Sequence, residues 1–133
     1  MKKTGILNSD LSAAIAGSGH TDKLVICDCG LPIPNGAVCI DLSLIPGIPS
    51  FIDVLKAIEN EAVFEKAYLS KDIQEKNPDI LEQTRKILPP DVPFTFVAHE
   101  DFKARTREDN TVFVRTGENT PFANILLVHG VSF

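Results

Sequence analysis

Hydrophobic and polar positions along this chain fall into blocks whose period changes. Residues 24–27, Leu-Val-Ile-Cys, are apolar without a break, the pattern of a strand covered on both faces. In the next block Val38, Ile40, Leu42 and Leu44 alternate with Cys39, Asp41 and Ser43, which predicts a strand with one wetter face. Further runs at 66–69, 94–97, 111–115 and 125–128 read as strands. Between these blocks the period lengthens. Asn8, Ser9 and Asp10 offer an N-cap and an acidic first turn to a short helix through Leu11, Ala14 and Ile15, and Gly17 and Gly19 stop it. Ser50 with Asp53 resembles a capping box, with Phe51, Val54, Leu55 and Ile58 behind it at helical spacing. Residues 70–88 read as helical with a break at Asn77-Pro78, because proline disfavours helix at the residue before it. A last short helix is expected near 100–106.

Strands alternating with helices predict an α/β fold: one layered domain, residues 1–133, with a mostly parallel or mixed sheet flanked by helices. In open sheets of this class ligands bind on the loops beyond the carboxyl ends of the strands. Asp28 ends the first strand, His99 follows the run at 94–97, and the polar stretch 116–124 follows the run at 111–115. These groups are expected to converge on one edge. His20 precedes its strand, so it either reaches that edge or serves a neighbouring copy.

Composition narrows the classes of function. With 44% hydrophobic and 23% charged residues, the chain is expected to be soluble and globular. No apolar run approaches the roughly 20 residues that span a bilayer. Asn8, Ser9 and Asp10 interrupt any signal-peptide core after Met1-Lys2-Lys3. A net charge of −5 and a pI near 5.1 argue against nucleic acid as a partner. Cys27, Cys29 and Cys39, an odd set without an export signal, point to reduced thiols and a cytoplasmic location. Their spacing fits no standard zinc motif, so they are expected to pack the sheet and no metal is expected. Gly17-Ser18-Gly19 follows a helix where a phosphate loop would lead from a strand into one, and there is no G-x-S-x-G elbow. No cofactor is expected. The absence of tryptophan and the single Tyr68 exclude an aromatic sugar platform.

The polar candidates each carry two readings. His20, after a Gly-Ser-Gly break, is either an aimed acid–base group or a helix C-terminal histidine favoured by the macrodipole. Asp22 most simply caps backbone. Asp28, at the end of an apolar strand, has to be paired, solvated or bound to something. It either accepts from hydroxyls of a sugar or polyol, or caps the Gly30-Leu31-Pro32 loop. His99 is a ligand-facing group or an ordinary neighbour of a helix start. The stretch from Arg115 to Asn124 is a binding loop or a solvated connection. His129 reads as structural or interfacial.

Taken together these segments resemble the D-ribose pyranase family, which shares its fold with the L-fucose mutarotases. The resemblance covers essentially the whole chain, from Met1-Lys2-Lys3 with Gly5-Ile6-Leu7-Asn8 to Gly130-Val131-Ser132-Phe133. Its most specific parts are Gly19-His20-Thr21-Asp22, Asp28 with Gly30-Leu31-Pro32-Ile33-Pro34, Ile40-Asp41-Leu42, Pro49-Ser50-Phe51, His99-Glu100 and Arg115-Thr116-Gly117-Glu118 through Asn124. It implies an enzyme that interconverts the pyranose and furanose rings of D-ribose, with His20 as the catalytic acid. It implies Asp28, His99, Phe122, Ala123 and Asn124 as sugar-binding positions, and a ring-shaped cytoplasmic homo-oligomer, often a decamer. Residues 31–34 follow the ribose branch of the family and not the fucose branch. Where the family commonly has tyrosine this chain has Phe122, a lost hydroxyl that is typically about 0.5–1.5 kcal/mol of ligand binding. Two rival readings predict different behaviour: a mutarotase for another sugar such as fucose, and a non-catalytic sugar-binding subunit of a ribose uptake system.

Overall fold

The computed structural model describes residues 1–133. In chain order its elements are α1 (Ser9–Gly17), β1 (Lys23–Cys27), β2 (Val38–Asp41), α2 (Phe51–Glu59), β3 (Phe64–Ser70), α3 (Ile73–Lys76), α4 (Pro78–Ile87), β4 (Phe94–Val97), α5 (His99–Arg105), β5 (Thr111–Arg115) and β6 (Ile125–His129). The caps act as their residue types dictate. Asn8 Oδ1 accepts from the Leu11 amide at 2.9 Å to open α1. Ser50 Oγ accepts from the Asp53 amide at 3.1 Å and donates to its carboxylate at 2.8 Å, opening α2. Pro78 starts α4 and so separates it from α3. From α2, Phe51, Val54, Leu55 and Ile58 are buried, about 1.5–3 kcal/mol of hydrophobic stabilisation for each such side chain.

The strand order is β2-β5-β1-β6-β3-β4. β5 is parallel to β1 and β2, and β3 is parallel to β4. β6 alone is antiparallel, inserted between β1 and β3. The α/β expectation therefore takes its mixed form, and the connection after β5 explains why. The chain leaves β5, passes over the end of β1 through residues 116–124, and returns beside β1. A return from the same edge without a crossover helix has to run antiparallel. The polar 116–124 stretch is thereby laid across the carboxyl end of β1, where Asp28 stands.

The two faces of the sheet are unequally covered. The larger core, built with Leu11 of α1, the α2 side chains and Ile80 of α4, contains 21 buried residues, against 7 in the cluster with Phe102 of α5 and Leu31. One face is thus thickly packed and the other is held by a single short helix. No helix is long and apolar enough to cross a membrane.

Two readings of the sequence need correction. The alternation at 38–44 is not one strand with a wet face. β2 stops at Asp41, whose Oδ1 accepts from the Ser43 amide at 2.9 Å and from its hydroxyl, turning the chain away. Val38 and Leu44 are exposed on this edge, beside Ile45 and Ile48 of the following turn. Nor do all three cysteines pack the sheet. Cys27 is fully buried, but Cys29 lies in the turn after β1 and Cys39 is exposed on the edge strand. Burial, and after it the neighbouring Asp28 charge, pushes the Cys27 thiol up to about 12, so this group is inert at neutral pH.

Candidate functional site

The carboxyl end of β1 is clamped on every side. The Asp28 amide donates to Asn124 Oδ1 at 2.9 Å, and the Asn124 side-chain amide returns a bond to Asp28 Oδ2 at 2.8 Å. The other carboxylate oxygen, Oδ1, accepts from the Gly30 amide at 2.9 Å. Asp28 therefore caps its own turn, as one of its two readings had it, and it also lines a cleft. An ionised carboxylate has about four acceptor positions. The two used here leave capacity for a ligand's hydroxyls. On either side of Asp28, Cys27 O accepts from the Thr116 amide at 3.0 Å and its hydroxyl at 2.8 Å, and the Cys29 amide donates to Glu118 O at 2.9 Å.

Asp28, Leu31, Pro32, His99, Phe122 and Asn124 line one cleft of about 230 Å³ at this edge. His99 is the first residue of α5, not a residue before it. Its ring stands perpendicular to Phe122 at 5.1 Å between centroids and stacks at 6.5 Å on Phe102. Its Nδ1 is buried without a protein hydrogen-bond partner, which makes it the polar group of this wall most in need of one. Phe122 holds φ +58°, a left-handed backbone that a bulky residue adopts only when its surroundings enforce it. Ala123 is fully buried in the main core and presents no surface of its own; it fixes the residues on either side. A larger groove of about 690 Å³ lies at the opposite edge between α1, the 34–38 loop and the α5–β5 turn, but none of Asp28, His99 or Asn124 borders it.

Several side chains that build this edge carried no assigned role in the sequence, even where the family resemblance included them. Glu118 is buried; its carboxylate accepts from the Phe51 amide at the start of α2 at 3.2 Å, and from the Thr120 amide and hydroxyl at 3.2 and 2.9 Å. A carboxylate at a helix N-terminus is stabilised by the partial positive charge there. Asn77, readable only as a helix break, sends its side-chain amide to Thr120 Oγ1 at 2.8 Å and Pro121 O at 2.9 Å. Arg115 donates to Cys29 O at 2.8 Å. Gly117 admits the 45–48 turn, since a Cβ there would lie 2.3 Å from Ile48 O. A Gly-Glu-x-Thr sequence beside a strand end is the only local hint, and it does not say that Glu118 is buried.

His20 lies elsewhere. It precedes β1, and the five residues of that strand alone put about 16 Å between its two ends. The chain is turned there by Thr21, at φ +71°, and by Asp22, whose carboxylate accepts from the Gly19 amide at 2.8 Å. Asp22 is thus the backbone cap its position suggested. The half-exposed His20 ring bonds through Nε2 to Glu65 Oε2 at 2.9 Å. His129, behind it, is buried against Phe64 with ring centroids 4.8 Å apart. Burial holds this imidazole below the ordinary histidine range, partly opposed by the Asp22 charge. Within one chain, then, Asp28, His99, Phe122 and Asn124 come together and His20 does not join them.

The model of the RbsD / FucU transport protein family matches residues 1–132. A D-ribose pyranase of Geobacillus thermodenitrificans is 50% identical over 133 residues, which span 100% of this chain and 99% of that protein. A D-ribose pyranase of Kosmotoga olearia is 42% identical with both chains covered at 100%. Among solved structures, Bacillus subtilis RbsD complexed with D-ribose is similar at a TM-score of 0.93 and 41% identity, covering 100% of each chain. The fucose mutarotase of Streptococcus pneumoniae in complex with L-fucose has a TM-score of 0.80 at 22% identity, covering 96% of this chain and 95% of that one, a likeness of fold.

Proposed function

The chain belongs to the RbsD / FucU transport protein family, and from that premise we propose that it is a sugar-ring isomerase interconverting the pyranose and furanose forms of D-ribose, in support of ribose utilisation. One observation carries the reading: the cleft at the carboxyl edge of the sheet, where Asp28, His99, Phe122 and Asn124 meet. A carboxylate with spare acceptor capacity, a buried imidazole nitrogen without a partner and an aromatic side chain in the wall suit a small polyhydroxylated ring.

The chemistry is proton traffic. A cyclic sugar is a hemiacetal; it opens when the ring oxygen gains a proton and the anomeric hydroxyl loses one, and it recloses on a different hydroxyl. No electrons move and no group is transferred. In this reading Asp28, His99 and Asn124 hold hydroxyls, Phe122 packs against the ring, Ala123 keeps the segment in place, and His20 delivers the proton. General acid–base help of this kind is typically about 10²–10⁴-fold, enough for a reaction that already runs in water.

His20 stands at the far end of β1 from the cleft, so we assign it to the cleft of a neighbouring copy, in a homo-oligomer that is a ring-shaped decamer in its fullest form. The exposed apolar side chains Val38, Leu44, Ile45, Ile48, Val131 and Phe133 supply surface for such packing. Three free thiols suit a reducing cytoplasm.

The test is NMR magnetisation transfer between the pyranose and furanose signals of D-ribose. The protein is expected to speed the exchange, and unchanged exchange would sink the reading; acceleration confined to L-fucose would make it a mutarotase of that sugar. Mixing His20→Ala with Asn124→Leu protein then tests the shared site. Recovered activity in the reassembled mixture is expected, and two inactive variants that stay inactive after subunit exchange would return His20 to its own chain.

A further inference from the structure

We propose that Glu65 is the positioning residue of the proton donor: its carboxylate takes the Nε2–H of His20, fixes the ring, and leaves Nδ1 as the nitrogen that exchanges protons with the sugar. The proposal rests on the ring-isomerase reading above and adds a residue, and a choice of nitrogen, to it.

The geometry comes from three independent parts of the chain. First, Nε2 and Glu65 Oε2 are 2.9 Å apart, a charge-assisted hydrogen bond in length. An ionised carboxylate only accepts, so the imidazole nitrogen facing it carries the hydrogen. The bond to His20 in turn holds the Glu65 carboxyl below the usual carboxylate range, so the acceptor stays ionised near neutral pH. Second, the β3–β6 register shifts at this residue. Phe64 pairs with His129 and Lys66 with Val128, leaving Glu65 as the extra residue of a bulge. Bulges re-aim a side chain at the edge of a sheet, and this one turns Glu65 toward the loop that carries His20. Third, that loop is itself forced into shape by the left-handed Thr21 and the Asp22 cap on Gly19. A strained turn and a bulge meeting on one ion pair are more than a surface contact between two long side chains requires.

The other charges at this end are accounted for. Lys66 Nζ lies 3.8 Å from the second Glu65 oxygen, Oε1, and leaves Oε2 to His20. Lys23 pairs with Glu108, Asp22 caps Gly19, and His129 is buried against Phe64. None of these competes for Nε2. What remains free on the half-exposed His20 ring is Nδ1: a donor when the ring is charged and an acceptor when it is neutral, as a residue that gives and recovers one proton requires.

The experiment uses the full chain in its assembled state and compares Glu65→Leu with Glu65→Gln. Positioning partners one shell removed from the chemistry typically cost about 10–100-fold when lost. Glu65→Leu is expected to lower kcat of ring exchange by that order while D-ribose affinity stays unchanged, because Glu65 bonds His20 and none of the side chains that line the cleft. Glu65→Gln is expected to keep most of the rate, since its amide oxygen still accepts Nε2–H. A folded Glu65→Leu protein with wild-type kcat, or equal loss in both variants, overturns the proposal. Histidine ¹⁵N NMR of the unmodified protein supplies a readout that no variant's folding affects: His20 is expected to be Nε2-protonated and free at Nδ1, and the reverse tautomer overturns the assignment. If the unmodified protein fails to accelerate ribose exchange at all, the isomerase reading falls while the tautomer result stands by itself.

Discussion

The two ends of β1 are built by opposite means. At the carboxyl end Asp28 is enclosed by reciprocal bonds to Asn124, a bond from Gly30 and the Thr116 and Glu118 contacts on each side, and the braces reach back to Asn77 and α2. At the amino end His20 is half exposed and its ring is held by one carboxylate. The first end is braced and tied into the core; the second is a side chain presented outward. Loss of function at the two ends should therefore look different. At one it travels with stability and affinity, and at the other with rate alone.

The widest break in that comparison is His20→Ala. It is expected to lower kcat for ribose ring exchange by about 10²–10⁴-fold, with the melting temperature almost unmoved. Magnetisation transfer and calorimetry on the same sample check both halves, and a large fall in melting temperature would erase the contrast. Next, Asn124→Leu strips Asp28 of two hydrogen bonds and leaves its buried-side groups unmet, about 1–3 kcal/mol of stability. Urea unfolding should show that loss, and ribose titration should show weaker binding. Phe122→Tyr sharpens the same end in the other direction. A hydroxyl added at the cleft wall is expected to tighten ribose binding by about 0.5–1.5 kcal/mol and to leave kcat alone.

The smallest effect belongs to His129, beneath the donor end. Its folded-state pKa is depressed by burial, so the neutral form is the one that fits. Its contribution to stability is present above the unfolded histidine value of about 6.5 and is lost as pH falls from there through the lower folded value. Melting temperatures followed downward from neutral pH should show this decline, and His129→Phe, which keeps the ring contact with Phe64, should remove that part of it.

Much of the fold was legible in the sequence because its signals are local. Caps at Asn8 and Ser50, the break at Pro78 and the apolar strand blocks are written within a few residues of where they act. The convergence of Asp28, His99 and Asn124 needed only strand order along the chain and the rule that such sheets bind at their carboxyl edge, and the family resemblance named the same positions. What escaped was non-local. That the 116–124 stretch crosses β1 depends on β6 lying beside β1, a pairing no short window contains. The burial of Glu118 depends on the arrival of α2, and the role of Glu65 depends on a one-residue shift between β3 and β6. The overreach at 38–44 has a related cause: alternation records which side chains are apolar, not whether the strand has a neighbour on both sides.

The position of β6 also sets the order in which the molecule becomes whole. Take β6 out of the row β2-β5-β1-β6-β3-β4 and two separate hydrogen-bonded ribbons remain, one of three strands and one of two. Every other strand is synthesised before the one that joins them. A growing chain on the ribosome therefore carries two open edges that the finished sheet lacks, β1 and β3, until residues 125–129 emerge, and the loop that completes the cleft is pinned beside β6. The cleft is completed last, and a chain stopped short of β6 has neither a continuous sheet nor a braced cleft.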